Sequence, residues 1–346
     1  MKVNRQQLRD ILSALRPGLA KREFIEQSCH FIFFDDTLAT FNGDVLITHP
    51  YKSEDNFSVK GEEFFRLIDG INDTEININL KNKLVITSKS TSAMLAILTE
   101  ESNTLPPIIK DLQKQMTGWK DLPKDFTEGI SLCAFSASPD KTRAARACVL
   151  IKGDKCSSID TARGSLFKME SSIDDSLLIM APWATDLSKF PVVKYCTSDK
   201  GKWGHFRTKE DITFSCKLID GDFPVYFEDM FEDIAKEPHF ELPKELKTIA
   251  DSVFMLASDV IDKTGKALDI VIEDGEIIVK ASNDLGEIEK NLRCSYKGEP
   301  IKITINATFI SQILDKATSF AHKDRKNHFV SGTFQHLLSQ ATYRKD

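Results

Sequence analysis

The sequence repeats itself loosely at an interval of about one third of its length. Residues 122–126 (LPKDF) recur as residues 242–246 (LPKEL), and residues 3–8 (VNRQQL) occupy the matching place near the start. Self-similarity at a fixed interval indicates one structural unit used several times, and about 120 residues is the length of a small domain. We therefore predict three copies of one domain, with bounds at 1–120, 121–237 and 238–346.

A second marker lies midway through each third. A short apolar strand ends there, and an apolar residue of a predicted helix follows eight positions later. The markers are the pairs Val59 and Leu67, Ile179 and Leu187, and Ile305 and Ile313. Each third is thus predicted to run helix, strands, helix, strands, which is an α+β fold. Three copies of such a unit are typical of a part built by repetition, such as an arc or a ring.

Amphipathic helices are predicted near the start of each third. Leu8, Leu12 and Leu15 share one face of the first, at the spacing of a buried helical stripe. Asn306 stands before the last predicted helix as an N-cap, because its side chain can accept bonds from the first helical N–H groups. Two polar stretches, the one that runs to residue 120 and the acidic one at 228–237, are predicted to be linkers.

Composition excludes several classes of function. The net charge is −6, which argues against a uniformly basic surface that coats nucleic acid but allows a local basic lining. The seven cysteines are scattered without a C-x-x-C pair, so the sequence indicates neither a zinc site nor a disulfide framework. The N-terminus lacks an apolar signal core, and no apolar run is long enough to span a membrane. We expect a cytoplasmic protein with no cofactor, no metal and no membrane partner.

Three segments resemble those of a known family. Residues 306–314 (NATFISQIL) resemble the N-x-x-Y-L-x-D-x-L signature in the last domain of bacterial beta-type DNA sliding clamps. Residues 218–226 (LIDGDFPVY) are similar to the L-I-D-G-x-F-P-D-Y segment between the middle and last domains of that family. Residues 135–143 (FSASPDKTR) resemble the stretch after the first helix of the middle domain. The resemblance covers nearly the whole chain in order and length.

The resemblance implies a fold and a function together. The fold would be α+β, with three clamp-type domains, each of two helices packed on antiparallel sheets. Two chains would join head to tail as a homodimer and close into a six-domain ring around double-stranded DNA. Such a ring is a non-catalytic processivity factor that tethers the replicative DNA polymerase. The departures described below favour a divergent clamp, of the kind that a phage encodes for its own polymerase.

Several basic residues could face the DNA. Arg5, Arg9 and Arg16 fall in a narrow strip beside the apolar stripe of the first helix, with Asp10 on the other side. The resemblance adds three positions: Lys21, Arg22 and Arg143. A sparse lining suits sliding, because each neutralised phosphate steepens the salt dependence of binding by about 0.9 log units. The alternative is that the helix arginines are ordinary solvated charges.

The resemblance also implies a cleft between the middle and last domains that accepts short peptides from the polymerase and the clamp loader. Thr161, Leu166 and Pro224 match the cleft pattern. The departures are Phe167 in place of a small residue, Arg146 at an apolar wall position, Glu228 and Asp229 in place of a basic–apolar pair, and Tyr343-Arg344 at the C-terminus, where only the arginine agrees. Because charge has been added, we expect an unusual peptide preference; loss of partner binding is the alternative.

Ring closure requires apolar surface at both ends of the arc. By resemblance, Leu95 and Ile97 belong to the interface of the first domain, and Met255 and Leu256 to that of the third. The ordinary interpretation of such residues is strand and helix core.

Two other functions are open at this point. A metal-dependent nuclease could use the carboxylate pairs Asp35-Asp36 and Asp174-Asp175, but both pairs are predicted at turns, where aspartate is common. Neighbouring strand residues also point to opposite faces and make a poor chelate. The second alternative is a clamp-like decoy that binds the polymerase or the loader without encircling DNA. Solution mass and retention on circular DNA distinguish a decoy from a clamp.

Overall fold

The computed structural model describes residues 2–99, 104–198, 200–259 and 265–341. The chain divides into two compact units. One unit comprises Met1–Thr127 and Asp186–Leu218, and the other comprises Glu128–Thr185 and Ile219–Asp346. The middle third of the sequence is therefore shared between the units, while the first and last thirds each lie in one.

The α-helices of the described residues occur two to each third, with one more in each predicted linker. They are α1 (Arg5–Leu15), α2 (Gly61–Gly70), α3 (Leu105–Lys114), α4 (Phe126–Ala134), α5 (Ala181–Leu187), α6 (Asp229–Glu232), α7 (Leu246–Val253) and α8 (Ala307–Leu314). The α1 helix begins after Asn4, whose side chain accepts a bond from the N–H of Gln7, and it buries Leu8, Leu12 and Leu15 completely as predicted.

The strands of the described residues all pair antiparallel. They are β1 (Lys2–Asn4), β2 (His30–Phe34), β3 (Thr37–Phe41), β4 (Val45–Pro50), β5 (Phe57–Lys60), β6 (Glu75–Leu80), β7 (Leu84–Thr87), β8 (Ser92–Leu95), β9 (Ile97–Thr99), β10 (Lys120–Asp121), β11 (Cys148–Ile159), β12 (Arg163–Met180), β13 (Val192–Ser198), β14 (Trp203–Thr208), β15 (Thr213–Lys217), β16 (Phe240–Glu241), β17 (Ser258–Asp259), β18 (Lys266–Glu273), β19 (Glu276–Asn283), β20 (Gly286–Arg293), β21 (Ile301–Asn306), β22 (Ser319–Lys323), β23 (Lys326–Ser331) and β24 (Phe334–Ser339).

Each unit contains one long and one short sheet. In the first unit the orders are β10-β13-β14-β15-β4-β3-β2-β5-β9 and β1-β6-β7-β8. In the second unit they are β11-β12-β24-β23-β22-β16 and β17-β18-β19-β20, with β21 also paired to β18. Each long sheet crosses a boundary between thirds: β4 pairs with β15, and β12 pairs with β24. We call these two places the first joint and the second joint.

The internal repetition is visible in the strand pairing. The opening strand of each third pairs with the first strand after the second helix, as β1 with β6, β10 with β13, and β16 with β22. Val59, Ile179 and Ile305 lie at the ends of β5, β12 and β21, each just before a helix, as the markers predicted. The predicted α+β class is confirmed, and the bounds 1–120, 121–237 and 238–346 stay a prediction.

Both predicted linkers contain helix, which corrects the sequence interpretation. Leu105–Lys114 forms α3, with Leu105 and Ile109 fully buried. Its two prolines occupy the first turn, where the missing N–H costs nothing, so they start a helix rather than end a domain. The acidic stretch contains α6 and a 3-10 turn at Ile234–Lys236. It orders because apolar side chains at helical spacing are buried on the long sheet of the second unit.

Candidate nucleic-acid interface and partner cleft

A groove of about 1150 Å³ lies in the first unit beside the end of α1. The loop after α1, the start of α2 and the segment after α5 form its walls. Its basic lining residues are Arg16, Lys21, Arg22, Lys60 and Lys189, and its acidic ones are Glu23, Glu62, Glu63 and Asp186. The groove thus brings together three of the predicted DNA-facing residues, in a lining of mixed charge.

Arg9 of α1 and Arg16, which directly follows α1, are paired with carboxylates of α2. The Nε of Arg9 donates to Asp69 Oδ1 at 2.8 Å, and its Nη1 lies 3.3 Å from Asp10 Oδ1. The hydrogen bonds that Arg9 donates, first to Asp69 and then to Asp10, raise the pKa of Arg9. The expectation that Asp10 lies away from the arginine strip is therefore wrong, because the long Arg9 side chain reaches back to it.

Arg16 is held in the same way at the other end of α1. Its Nη2 lies 2.9 Å from Glu62 Oε1, and its guanidinium lies 4.4 Å from the centre of the Phe65 ring. A cation over an aromatic face is attracted by the ring quadrupole. Arg9 and Arg16 therefore present neutralised rather than free positive charge.

The other predicted basic positions are more open. Lys21 and Arg22 are exposed in the loop after α1, and Arg143 is exposed with its Nε 3.5 Å from Asp140 Oδ2. Arg5 is half-buried and donates to Gln6 Oε1 at 3.0 Å.

Sequence reasoning missed two cations of the groove, Lys60 and Lys189. The internal repeat contained a signal for Lys189. Lys189 lies two positions after the marker residue Leu187. The equivalent residue of the first third, two positions after the marker Leu67, is Asp69, which contacts Arg9. A comparison of equivalent helix ends would have pointed to this segment.

The predicted cleft residue Leu166 is covered by other side chains in this structure. Leu166 is only 8 % exposed and belongs to an apolar cluster on the second joint. The other buried members of this cluster are Ile159, Phe227, Phe231, Ile234 and Leu337. Phe231 and Ile234 come from the predicted acidic linker and Phe227 directly precedes it, so the chain itself supplies the cover.

The remaining cleft residues surround this cluster at the surface. Thr161 is exposed at the turn between β11 and β12, and Pro224 is half-buried. The Nη2 of Arg146 donates to the Tyr226 hydroxyl at 3.2 Å, and Glu228 forms an ion pair with Lys155. Arg146 and Glu228 are thus engaged within the chain, and Asp229 is exposed at the start of α6.

Phe167 has a different location from the one predicted. It points to the opposite face of β12 from Leu166, because successive strand residues alternate. Its ring packs on α4, where a Cβ at Gly129 would lie 2.7 Å from Phe167 Cδ1. Phe167 is therefore a core residue on the helix side of the sheet and does not line the cleft. The predicted cleft residues Tyr343 and Arg344 lie outside the described residues.

Three of the four predicted interface residues lie near the ends of the two short sheets, and Ile97 lies on the long sheet of the first unit. Leu95 is half-buried in β8, and β8 is an edge strand of the described part of its sheet. Ile97 lies in β9, opposite Val59 at the end of the long sheet. Met255 is 71 % exposed and Leu256 is half-buried in the turn after α7.

No protein-family model and no curated protein sequence matches the chain. Solved structures match it along its full length. The DnaN sliding clamp (DNA polymerase III subunit beta) of Bartonella birtlesii bound to griselimycin has a TM-score of 0.79 at 17% identity, with 98% of each chain covered. The beta subunit of Streptococcus pyogenes has a TM-score of 0.76 at 16% identity, with 99% of each chain covered. That of Thermotoga maritima has a TM-score of 0.75 at 16% identity, covering 100% of this chain and 99% of that one.

The chain has the sliding-clamp fold.

Both carboxylate pairs considered for a nuclease lie within the described residues. Asp35 and Asp36 form the hairpin turn between β2 and β3, both with positive φ, as predicted. Asp174 and Asp175 lie within the long strand β12 rather than in a turn, so their prediction was wrong. Within the ranges that the structure describes, no three His, Cys, Asp or Glu side chains are grouped to hold a metal ion.

None of the helices in the described part of this clamp fold is long and apolar enough to cross a membrane.

Proposed function

We propose that this protein is a DNA sliding clamp, a non-catalytic cytoplasmic factor that encircles double-stranded DNA and tethers a DNA polymerase for processive synthesis. The observation that carries the proposal is the match of the whole chain to polymerase III beta clamps. A match that extends over 98% of both chains supports the presence of all three predicted copies of the domain, which a closed ring requires. Its expected partners are DNA, a polymerase, a clamp loader and a second copy of itself.

The strand order supports a head-to-tail homodimer. At each joint, the strand that follows the hairpin turn in one third pairs with the third strand after the second helix of the next third, as in β4 with β15 and β12 with β24. The strands in the same two positions at the ends of the arc are β20 of the last third and β8 of the first third. In the described part of the chain, each is the end strand of its short sheet. We infer that β20 of one copy pairs with β8 of the other.

The register at the first joint predicts which residues would meet between copies. Leu46 is the second residue after its hairpin turn, and it lies opposite Ser215. The equivalent residue of the last third is Glu287, the second after the turn between β19 and β20. The residue of β8 that corresponds to Ser215 is Met94, because each is the third residue of its strand. Glu287 would therefore lie opposite Met94 of the second copy.

Exposed apolar side chains are concentrated at these edges. Met94 is 67 % exposed on β8, Leu285 is 87 % exposed at the turn before β20, and Met255 is next to the same sheet. Large apolar side chains in such positions are typical of surfaces covered by a partner. Leu95, Met255 and Leu256 remain proposed interface residues on this basis. Ile97 belongs to the other sheet.

DNA would be contacted chiefly through the groove beside α1. Lys21 and Arg22 are exposed there, whereas Arg9 and Arg16 are already paired with carboxylates. Few free cations near the duplex favour sliding, because the ring holds the DNA by enclosure and not by affinity. Arg5 and Arg143 stay in the proposal as further contacts.

Retention on circular DNA tests enclosure. The two copies are separated by dilution, mixed with a nicked circular duplex and reassociated by concentration, and the bound fraction is then isolated by gel filtration. We expect the protein to remain on the circle in moderate salt and to leave once a restriction enzyme linearises it. A Leu285→Asp variant, whose edge carries a new charge, should be lost from both forms.

Equal loss of the unmodified protein from circular and linear DNA would contradict the proposal. A stable monomer at micromolar concentration that still bound a polymerase would support the decoy instead.

A further inference from the structure

We propose that the segment at residues 223–236 occupies the partner cleft of its own chain, so that a partner peptide must displace it before binding. The inference rests on the proposed function, because that function identifies the second joint as the place where partner peptides bind. It adds an occupant from the chain itself and a competition between that occupant and the partner.

The segment inserts three apolar side chains into the cluster around Leu166. Phe227, Phe231 and Ile234 are 2 %, 3 % and 0 % exposed, so each is as buried as an ordinary core residue. Burial of a large apolar side chain contributes about 1.5–3 kcal/mol relative to exposure. The surface around Leu166 is therefore already covered and is closed to an apolar side chain of a partner peptide.

The surface of β12 is shaped to receive the first of these rings. A Cβ at Gly164 would lie 2.8 Å from Phe227 Cε2, which is too close for a side chain, so glycine at this position allows the ring to lie against the strand. Phe223, Phe227 and Phe231 stack edge to face in succession, with 5.3 Å between neighbouring ring centres. Such aromatic pairs are favourable beyond their burial alone.

Ion pairs hold the segment at Glu228 and Asp233 and directly after its end at Glu237. Glu228 pairs with Lys155, and Lys323 Nζ lies 2.9 Å from Asp233 Oδ1 and 2.7 Å from Glu237 Oε1. The two carboxylates raise the pKa of Lys323, with Glu237 the larger cause. Exposed pairs of this kind each contribute about 1 kcal/mol or less. The apolar side chains therefore hold the segment down, and the ion pairs fix its position along the sheet.

The first joint has an equivalent cover that serves as a control. Leu105 and Ile109 of α3 are buried against Phe41, Leu46 and neighbouring residues of the long sheet. A buried apolar side chain of α3 can therefore be removed as a control, because no peptide site is proposed at the first joint.

Griselimycin, which the Bartonella birtlesii clamp binds, is the probe for this test, and we expect it to bind this chain at the second joint. Calorimetric titration compares the unmodified protein with Phe231→Ala and with the control Ile109→Ala. We expect Phe231→Ala to bind about tenfold tighter or more, because apparent affinity is lowered by the fraction of molecules in which the site is closed. Ile109→Ala should bind as the unmodified protein does. Equal or weaker binding by Phe231→Ala, or no binding by any of these proteins, would overturn the proposal.

Gly164→Ala provides a second variant in case Phe231→Ala fails to fold. Its Cβ would push the Phe227 ring off β12, while Phe227, Phe231 and Ile234 are all retained. It too should bind griselimycin more tightly. In the unmodified protein, griselimycin should accelerate hydrogen exchange at the Phe231 amide, which bonds to the Glu228 carbonyl at 3.0 Å. Unchanged or slower exchange in the complex would contradict displacement. Retention on circular DNA is independent of these results, so failure here and failure of the clamp proposal are distinguishable.

Discussion

His205 is a buried imidazole placed between two hydroxyl groups. Its Nε2 lies 2.6 Å from Ser198 Oγ, and its Nδ1 lies 2.8 Å from Ser215 Oγ. A neutral imidazole can donate to one hydroxyl and accept from the other, so both contacts are satisfied without a charge. Burial lowers the pKa of His205 to about 4.

We predict that His205 makes the protein less stable in mild acid. The unfolded imidazole takes up a proton near pH 6.5, whereas the folded one stays neutral until about pH 4. The free energy of unfolding should therefore fall as the pH is lowered through that window. Urea unfolding at pH 7.5 and pH 5 measures the fall, which should be smaller in His205→Asn. An equal fall in both proteins would contradict the assignment.

Single residues could be identified from the sequence more readily than their partners. The basic strip of α1 was predictable from helical spacing, but the pairing of Arg9 with Asp69 joins residues 60 positions apart. Similarly, Leu166 matched a cleft pattern, yet nothing near it in sequence indicates that Phe227 covers it. Local spacing predicts which face a side chain is on, and tertiary packing decides what it meets there.

At the scale of elements, α8 has the clearest cap signal in the sequence. The Asn306 side chain accepts from the N–H groups of Thr308 and Phe309 at 3.0 and 3.2 Å, as predicted for an N-cap. We predict that Asn306→Ala lowers the free energy of unfolding by about 1 kcal/mol, because two N–H groups lose their acceptor. Asn306→Ser should retain most of the stability. Urea titration of the three proteins compares them, and equal stability of the alanine and serine variants would contradict a capping role.

The strands and hairpins of the first third were largely predictable, and the linker helices were not. Alternating apolar residues and turn pairs such as Asn42-Gly43 determine hairpins locally. In contrast, Leu105 and Ile109 are few apolar residues in a polar stretch, and they order only because a sheet from two different thirds lies beneath them. The apolar run at 93–98 (AMLAIL) divides into β8 and β9, because its two halves pair in different sheets.

At the scale of the whole molecule, the proposed contact between copies has a register that charge can test. If Met94 of one copy lies opposite Glu287 of the other, Met94→Asp places like charges across the strands, whereas Met94→Lys forms an opposite-charge pair. We predict that Met94→Asp weakens dimerisation by about tenfold or more and that Met94→Lys does not. Analytical ultracentrifugation over a dilution series measures both, with Ile108→Asp on α3 as the exposed apolar control. Equal weakening by both Met94 variants would exclude this register.

The covers of the two joints also bear on how a closed ring would admit DNA. Within one chain, α3 lies over the first joint and residues 223–236 lie over the second, and the backbone crosses both. The joint between copies has no backbone connection, and the residue proposed to face Met94 there is the charged Glu287. In a ring of two such chains, the backbone would therefore keep the two joints of each chain connected. Only the two contacts between copies could separate completely, so a duplex would enter the ring there.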